Sequence, residues 1–182
     1  MGRMWTLVLD TATPYLSLGL FRGEAGVGRV KRVERRHEEV LFGLLEEVLR
    51  EIGAGREEIG ALVLGEGPGS YTGLRIALAA GLGLAQALGA RVFGASSLLA
   101  ACWPYLKEGE PLTPLFTARN GLFYGATYTL EGGRPKEVAP PRKLKAKELP
   151  QAGRLLLDAP PDPRALYELL PFAHEGVEPL YL

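Results

Sequence analysis

Hydrophobic and polar positions change their spacing several times along the chain, and each change marks an element. Trp5 to Asp10 is a continuous run with Leu7, Val8 and Leu9 at its centre, which predicts a buried strand. It ends in Asp10-Thr11-Ala12-Thr13-Pro14. From Tyr15 to Phe21, Leu16, Leu18 and Leu20 alternate with Ser17 and Gly19, the period-2 pattern of a strand. After the turn at Arg22-Gly23-Glu24, a more polar strand is expected from Val27 to Val33, completing a three-strand meander. At His37 the period becomes helical. Val40, Leu41, Leu44, Leu45, Val48, Leu49 and Ile52 form one stripe, with Glu38 and Glu39 in the first turn, where the helix dipole favours them, and Gly53 just past the end. A short strand from Ile59 to Leu64 leads into Gly65-Glu66-Gly67-Pro68-Gly69-Ser70-Tyr71-Thr72-Gly73. Ser70 or Thr72 is available to cap the helix expected from Gly73 to Leu88, which is apolar all the way round. Val92 and Phe93 predict another strand, and Ser96 or Ser97 caps a helix running to Tyr105.

Beyond Lys107 prolines recur and the elements shorten. Strands are expected at Leu112 to Thr117, Leu122 to Leu130 and Arg154 to Asp158, with a hairpin turn at Glu131-Gly132-Gly133 and a helix from Pro163 to Leu170. The predicted class is α/β, with a first lobe over residues 1–106 and a smaller second lobe over 107–182. The order β-β-β-α-β-α-β-α of the first lobe resembles the ribonuclease-H-like unit of the actin-like superfamily.

Composition narrows the function. The chain has 182 residues, 21 basic and 21 acidic, so no global field recruits nucleic acid or a membrane surface. A single cysteine, Cys102, forbids an internal disulfide, and the run Leu74 to Leu88 is short of the roughly 20 residues that span a bilayer. The N-terminus, Met1 to Trp5, lacks the pattern of a signal peptide. A cytoplasmic protein with no membrane contact is the expectation.

Each candidate for chemistry has a plainer counterpart. The glycine turn has no lysine in the Walker position, its glycines miss the dinucleotide spacing, and Glu66 repels anions, so a tight strand-to-helix turn is the simpler reading. His37-Glu38-Glu39-Val40-Leu41 begins like a zincin motif, but Leu41 stands where the second ligand belongs. Cys102 sits among alanines and reads as a core residue. The basic stretches Arg29 to Arg36 and Arg142 to Lys147 read as solvated faces, with RNA phosphate as the alternative ligand. An apolar helix with Gly73, Ala77, Ala80, Gly81 and Ala85 along it is expected to be covered on two sides, on one of them by a partner helix.

Asp10-Thr11-Ala12-Thr13, then Gly67-Pro68-Gly69-Ser70-Tyr71-Thr72-Gly73-Leu74-Arg75, then Ala95-Ser96-Ser97-Leu98 resemble the TsaB (YeaZ) family, as do Arg119 with Phe123-Tyr124 and the final Pro179-Leu180-Tyr181-Leu182. The resemblance implies an inactive paralogue of TsaD, the transferase that adds threonylcarbamoyl to the adenosine beside the tRNA anticodon (t6A). It implies partners too: TsaD and the ATPase TsaE, a homodimer when alone, and tRNA only through the complex. TsaD-like chains carry N-H-x-x-x-H after this strand; here Ser97 and Ala101 stand at the histidine positions, so metal is not expected. Thr117 stands where the family has an aspartate. A degenerate nucleotide loop is assigned to Asp10, Thr11 and Thr13, with no cofactor expected and no catalytic residue. The expected partner interface is Leu41, Leu45, Tyr71, Arg75, Ala77, Leu78, Ala80, Gly81 and Leu84. The competing reading is an enzyme, either a metallopeptidase (glycoprotease) or an ATP hydrolase.

Overall fold

The computed structural model describes residues 4–182; residues 1–3, part of the N-terminal stretch read for a signal peptide, lie outside the described residues. β1 (Trp5–Asp10), β2 (Tyr15–Arg22) and β3 (Ala25–Arg32) form the antiparallel meander. β4 (Ile59–Gly65) and β5 (Arg91–Ala95) add in parallel beside β1, which requires crossover helices. These are α1 (His37–Ile52) and α2 (Tyr71–Leu88). α1 ends on Gly53 in the left-handed conformation, and α2 on Gly89 likewise. α2 starts two residues earlier than expected because Ser70, whose Oγ accepts the Gly73 N–H at 2.9 Å, is its N-cap.

α3 (Ser97–Cys102) is shorter than expected. Pro104 cannot extend an α-helix, and residues Trp103–Tyr105 form a tighter 3-10 turn instead. The second sheet has the order β8-β7-β6-β9, from β6 (Leu112–Thr117), β7 (Leu122–Glu131), β8 (Arg134–Lys145) and β9 (Arg154–Leu157). β8 contains Arg142, Lys143 and Lys145 of the second basic stretch, and its three prolines are tolerated because it is an edge strand whose pairing to β7 is broken by bulges.

After β9 the chain returns to the first sheet. α4 (Pro163–Glu168) places Ala165 and Leu166 against Val8 and Val63, and β10 (His174–Glu175) pairs with β5. The six-stranded order is therefore β10-β5-β4-β1-β2-β3. One core lies under α1 and α2, built on Leu7, Leu9, Leu18, Leu20, Leu62 and Leu64. A third cluster joins the two sheets, where Leu98 and Cys102 of α3 meet Leu112, Phe116 and Tyr128 of the second sheet.

Candidate functional site

The carboxyl ends of β1, β4 and β5 meet, which is where an open α/β sheet binds ligands. Here that point is closed by the chain itself. Asp10 is completely buried. Its Oδ1 accepts the Ala12 N–H at 2.9 Å and its Oδ2 accepts the Ser97 hydroxyl at 2.6 Å. Ser97 Oγ in turn accepts the Gly67 N–H at 2.9 Å, and the Ser97 N–H donates to the Gly67 carbonyl at 3.0 Å. Gly65 carries no side chain for a direct reason: a Cβ there lies 1.8 Å from Asp10 Oδ2. Burial lifts the Asp10 carboxyl from about 3.8 to about 6, against the opposing hydrogen bonds from Ser97 and Ala12.

The neighbouring groups of the loop are engaged in the same way. The Thr11 hydroxyl donates to the Gly73 carbonyl and accepts the Ala77 N–H at 3.1 Å. Thr13 Oγ1 accepts the Tyr15 N–H, and the Ala12 carbonyl accepts the Ser70 N–H at 3.1 Å. A loop that holds phosphate or the water shell of Mg²⁺ needs free donors and an exposed carboxylate. Asp10, Thr11 and Thr13 instead fasten the β1 loop to the glycine turn and the start of α2, and they do not fit a nucleotide. Among the described residues no buried side-chain nitrogen or oxygen lacks a partner.

The metal reading fares no better. Ser97 is fixed to Asp10, and Ala101 lies in the inter-lobe core. Among the described residues no group of three His, Cys, Asp or Glu side chains is gathered for a cation. His37 is buried at the start of α1, its Nε2 facing the Thr13 and Tyr15 carbonyls at 2.8 and 3.1 Å. Cys102 is a core thiol pushed up to about 12 by burial, the opposite of a nucleophile. At the end of β6, where Thr117 replaces an expected aspartate, a carboxylate is present after all. Asp158 accepts both the Thr117 N–H at 2.7 Å and its hydroxyl at 2.6 Å. Nothing in the sequence pattern pairs those two positions.

The open feature lies on the other side of α2. Gly73, Ala77, Gly81 and Ala85 recur every four residues and face inward, so the helix sits close on the sheet; a Cβ on Gly81 lies 2.6 Å from Leu64. These small residues were expected to receive a partner helix, and they receive Leu64 and its neighbours. The outer face carries Tyr71, Arg75, Ala79 and Leu82, with Tyr71 57% and Leu82 46% exposed. A groove of about 410 Å³ opens between α1 and α2, lined by Leu41, Phe42, Tyr71, Arg75, Ile76 and Ala79 among others. Of the expected interface residues, Tyr71 and Arg75 are exposed; Leu78, Ala80 and Leu84 are half-buried. Leu41 is buried in the groove floor, and Leu45, Ala77 and Gly81 are buried beneath the surface. Phe42, Ala79 and Leu82 were missed; a helical wheel drawn with Gly73, Ala77, Gly81 and Ala85 inward places Leu82 outside.

The family model of TsaD, tRNA N6-adenosine threonylcarbamoyltransferase, matches residues 31–163. The chain belongs to this family. Within it the resemblance to TsaB (YeaZ) is supported by the relatives. The chain is 34% identical over 131 residues to the tRNA threonylcarbamoyladenosine biosynthesis protein TsaB of Escherichia coli, covering 69% of this chain and 55% of that one. It is 25% identical over 142 residues to the protein of the same name in Bacillus subtilis, covering 78% and 62%. In these alignments the chain spans little more than half the length of the curated relatives it matches. YeaZ from Pseudomonas aeruginosa has the same fold, at a TM-score of 0.86 and 24% identity over 98% of this chain and 100% of that one. The two-sheet α/β architecture of this chain is therefore that of YeaZ.

Proposed function

We propose that this chain is a non-catalytic subunit in t6A biosynthesis, which docks on a TsaD-type transferase through the face between α1 and α2. The observation that carries the reading is a pairing. The point where the fold binds ligands is filled by Asp10, Ser97 and the glycine turn, while the α1–α2 face is open and apolar. A contiguous exposed apolar patch on a folded chain marks an interaction surface. Relatives named for threonylcarbamoyladenosine biosynthesis support the pathway. An ATPase of the TsaE type joins the assembly, tRNA enters through the partner, and two copies of this chain pair through the same face when no partner is present.

The test is co-expression with a TsaD homologue, followed by affinity capture and a t6A-forming assay. The expected result is a stoichiometric complex that forms t6A, with no ATP turnover by this chain alone. Steady ATP hydrolysis or stoichiometric metal in the isolated chain sinks the non-catalytic reading in favour of the enzyme. A monodisperse monomer that never binds the homologue sinks the docking reading.

A further inference from the structure

Glu66 is the one charged residue of the glycine turn, and it is 92% buried, with 8% of its surface exposed. Every polar group it owns is used. Its N–H donates to the Ala95 carbonyl at 2.9 Å, which continues the β4–β5 pairing. The other three contacts go to residues 174–182: Oε1 accepts from His174 Nε2 at 2.6 Å, Oε2 accepts the Glu178 N–H, and the Glu66 carbonyl accepts the Leu180 N–H at 2.8 Å. Room for the carboxylate is made by Gly94, where a Cβ lies 2.3 Å from Glu66 Cδ. Room for the tail is made by Gly67, where a Cβ lies 3.1 Å from the Leu180 carbonyl. A carboxylate shielded from water and fed by donors from one segment is a strong, directional anchor.

The anchored segment leads back to the open face. Tyr181 lies against Tyr71, their ring centroids 4.9 Å apart, and Tyr71 is the end wall of the α1–α2 groove. Arg75 extends over the other contact of Tyr71, its guanidinium 5.3 Å from the ring and its Nη1 3.0 Å from the hydroxyl. Stacking does not hide the two tyrosines: Tyr181 remains 45% exposed. The tail thus adds aromatic surface to the face that α2 presents.

We infer that Glu66 is a latch for residues 177–182, seating Tyr181 on Tyr71 so that the tail forms one wall of the docking face. The inference rests on the docking reading for its consequence, and Glu66 is a positioning residue. It is tested in the full chain by hydrogen exchange, and by affinity for the co-expressed TsaD homologue. Glu66→Ala is expected to speed exchange of the Glu178 and Leu180 amides at least tenfold while the buried stretch around Ala77 and Gly81 stays protected. The same variant is expected to weaken binding at least fivefold. Tyr181→Ala is expected to weaken binding equally with the Glu178 amide still protected. Glu66→Gln keeps an acceptor oxygen and is expected to fall between, and it stands in if the alanine variant does not fold. Unchanged tail exchange in both Glu66 variants overturns the latch. A freed tail with unchanged affinity overturns its role in docking. A wild-type chain that binds no TsaD homologue defeats the docking reading, and the exchange rates then decide the latch by themselves.

Discussion

Replacing Asp10 with asparagine separates a structural carboxyl from a catalytic one. In the folded chain the group titrates near 6 because burial penalises its charge, whereas in the unfolded chain it titrates near 3.8. Below about pH 4 both states hold the proton, and the group contributes nothing to the pH dependence. Between about 4 and 6 the folded state binds more protons than the unfolded state, so stability falls as pH rises. Above about 6 both states are ionised and the folded state bears the whole penalty. The rise from 3.8 to about 6 corresponds to about 3 kcal/mol. Asparagine keeps the acceptor for the Ala12 N–H and offers an amide donor to Ser97 Oγ, but it takes away the acceptor of the Ser97 hydroxyl, at about 1 kcal/mol. The variant should therefore be about 1 kcal/mol less stable than wild type near pH 4 and about 2 kcal/mol more stable near pH 8. Urea unfolding of both proteins across that range measures the difference directly, because every other carboxylate cancels. A stability difference that stays flat from pH 4 to pH 8 refutes the argument. So does a large loss at pH 8, which means that an ionised Asp10 is needed.

Three further outcomes follow from the same geometry. Leu82→Glu, on the exposed outer face of α2, should leave thermal stability within about 0.5 kcal/mol. It should weaken association by about 2 kcal/mol or more, roughly thirtyfold, in calorimetry against a TsaD homologue. Ala77→Glu, completely buried beneath the same helix, should prevent folding by circular dichroism. The hydrogen bond to Glu66 raises the His174 imidazole above its ordinary value against partial desolvation, the Glu175 carbonyl and the Glu178 charge add to it, and Arg91 is paired to the Glu175 carboxylate nearby. The charged contact is then complete below about 6.5 and is lost as pH rises through the raised value, so the protection of the tail amides, with the base-catalysed intrinsic exchange rate divided out, should fall toward alkaline pH, and should lose that dependence in His174→Gln. This window lies above that of Asp10, and the two are separable in one titration.

How far the fold was legible follows from where periodicity carries the information. α1 runs from His37 to Ile52, as its stripe and Gly53 require, because its apolar side chains and its C-cap agree. β1 to β5 fall where alternation or continuous apolar runs place them. The failures have a common cause, which is that tertiary context decided the element. β8 carries three prolines and five Lys or Arg residues, and only its position at a sheet edge makes it a strand. β10 has two residues, too few for any period, and exists because Glu66 and β5 hold it.

The sequence marks α2 as a helix covered on two sides and leaves open which face meets the sheet. An all-round apolar helix says that two sides are covered, but composition alone does not say which side takes the sheet. The small residues answer it: a helix packs closest where its side chains are smallest, and Gly73, Ala77, Gly81 and Ala85 lie over Leu64 and the β1 loop. The bulky residues Tyr71 and Leu82 are thereby turned outward. The same inward turn brings Thr11 to the Ala77 amide and closes the loop where a ligand would enter. Closing the loop and exposing the proposed docking face are one packing decision, made by four small residues. Enlarging Gly81 should disturb both at once: lifting α2 from Leu64 strains the Thr11–Ala77 hydrogen bond and tilts the outer face. Gly81→Leu is expected to destabilise the chain by about 2 kcal/mol and to weaken partner binding although the residue itself is buried. Unchanged affinity in a folded Gly81→Leu chain refutes the coupling of pocket and face.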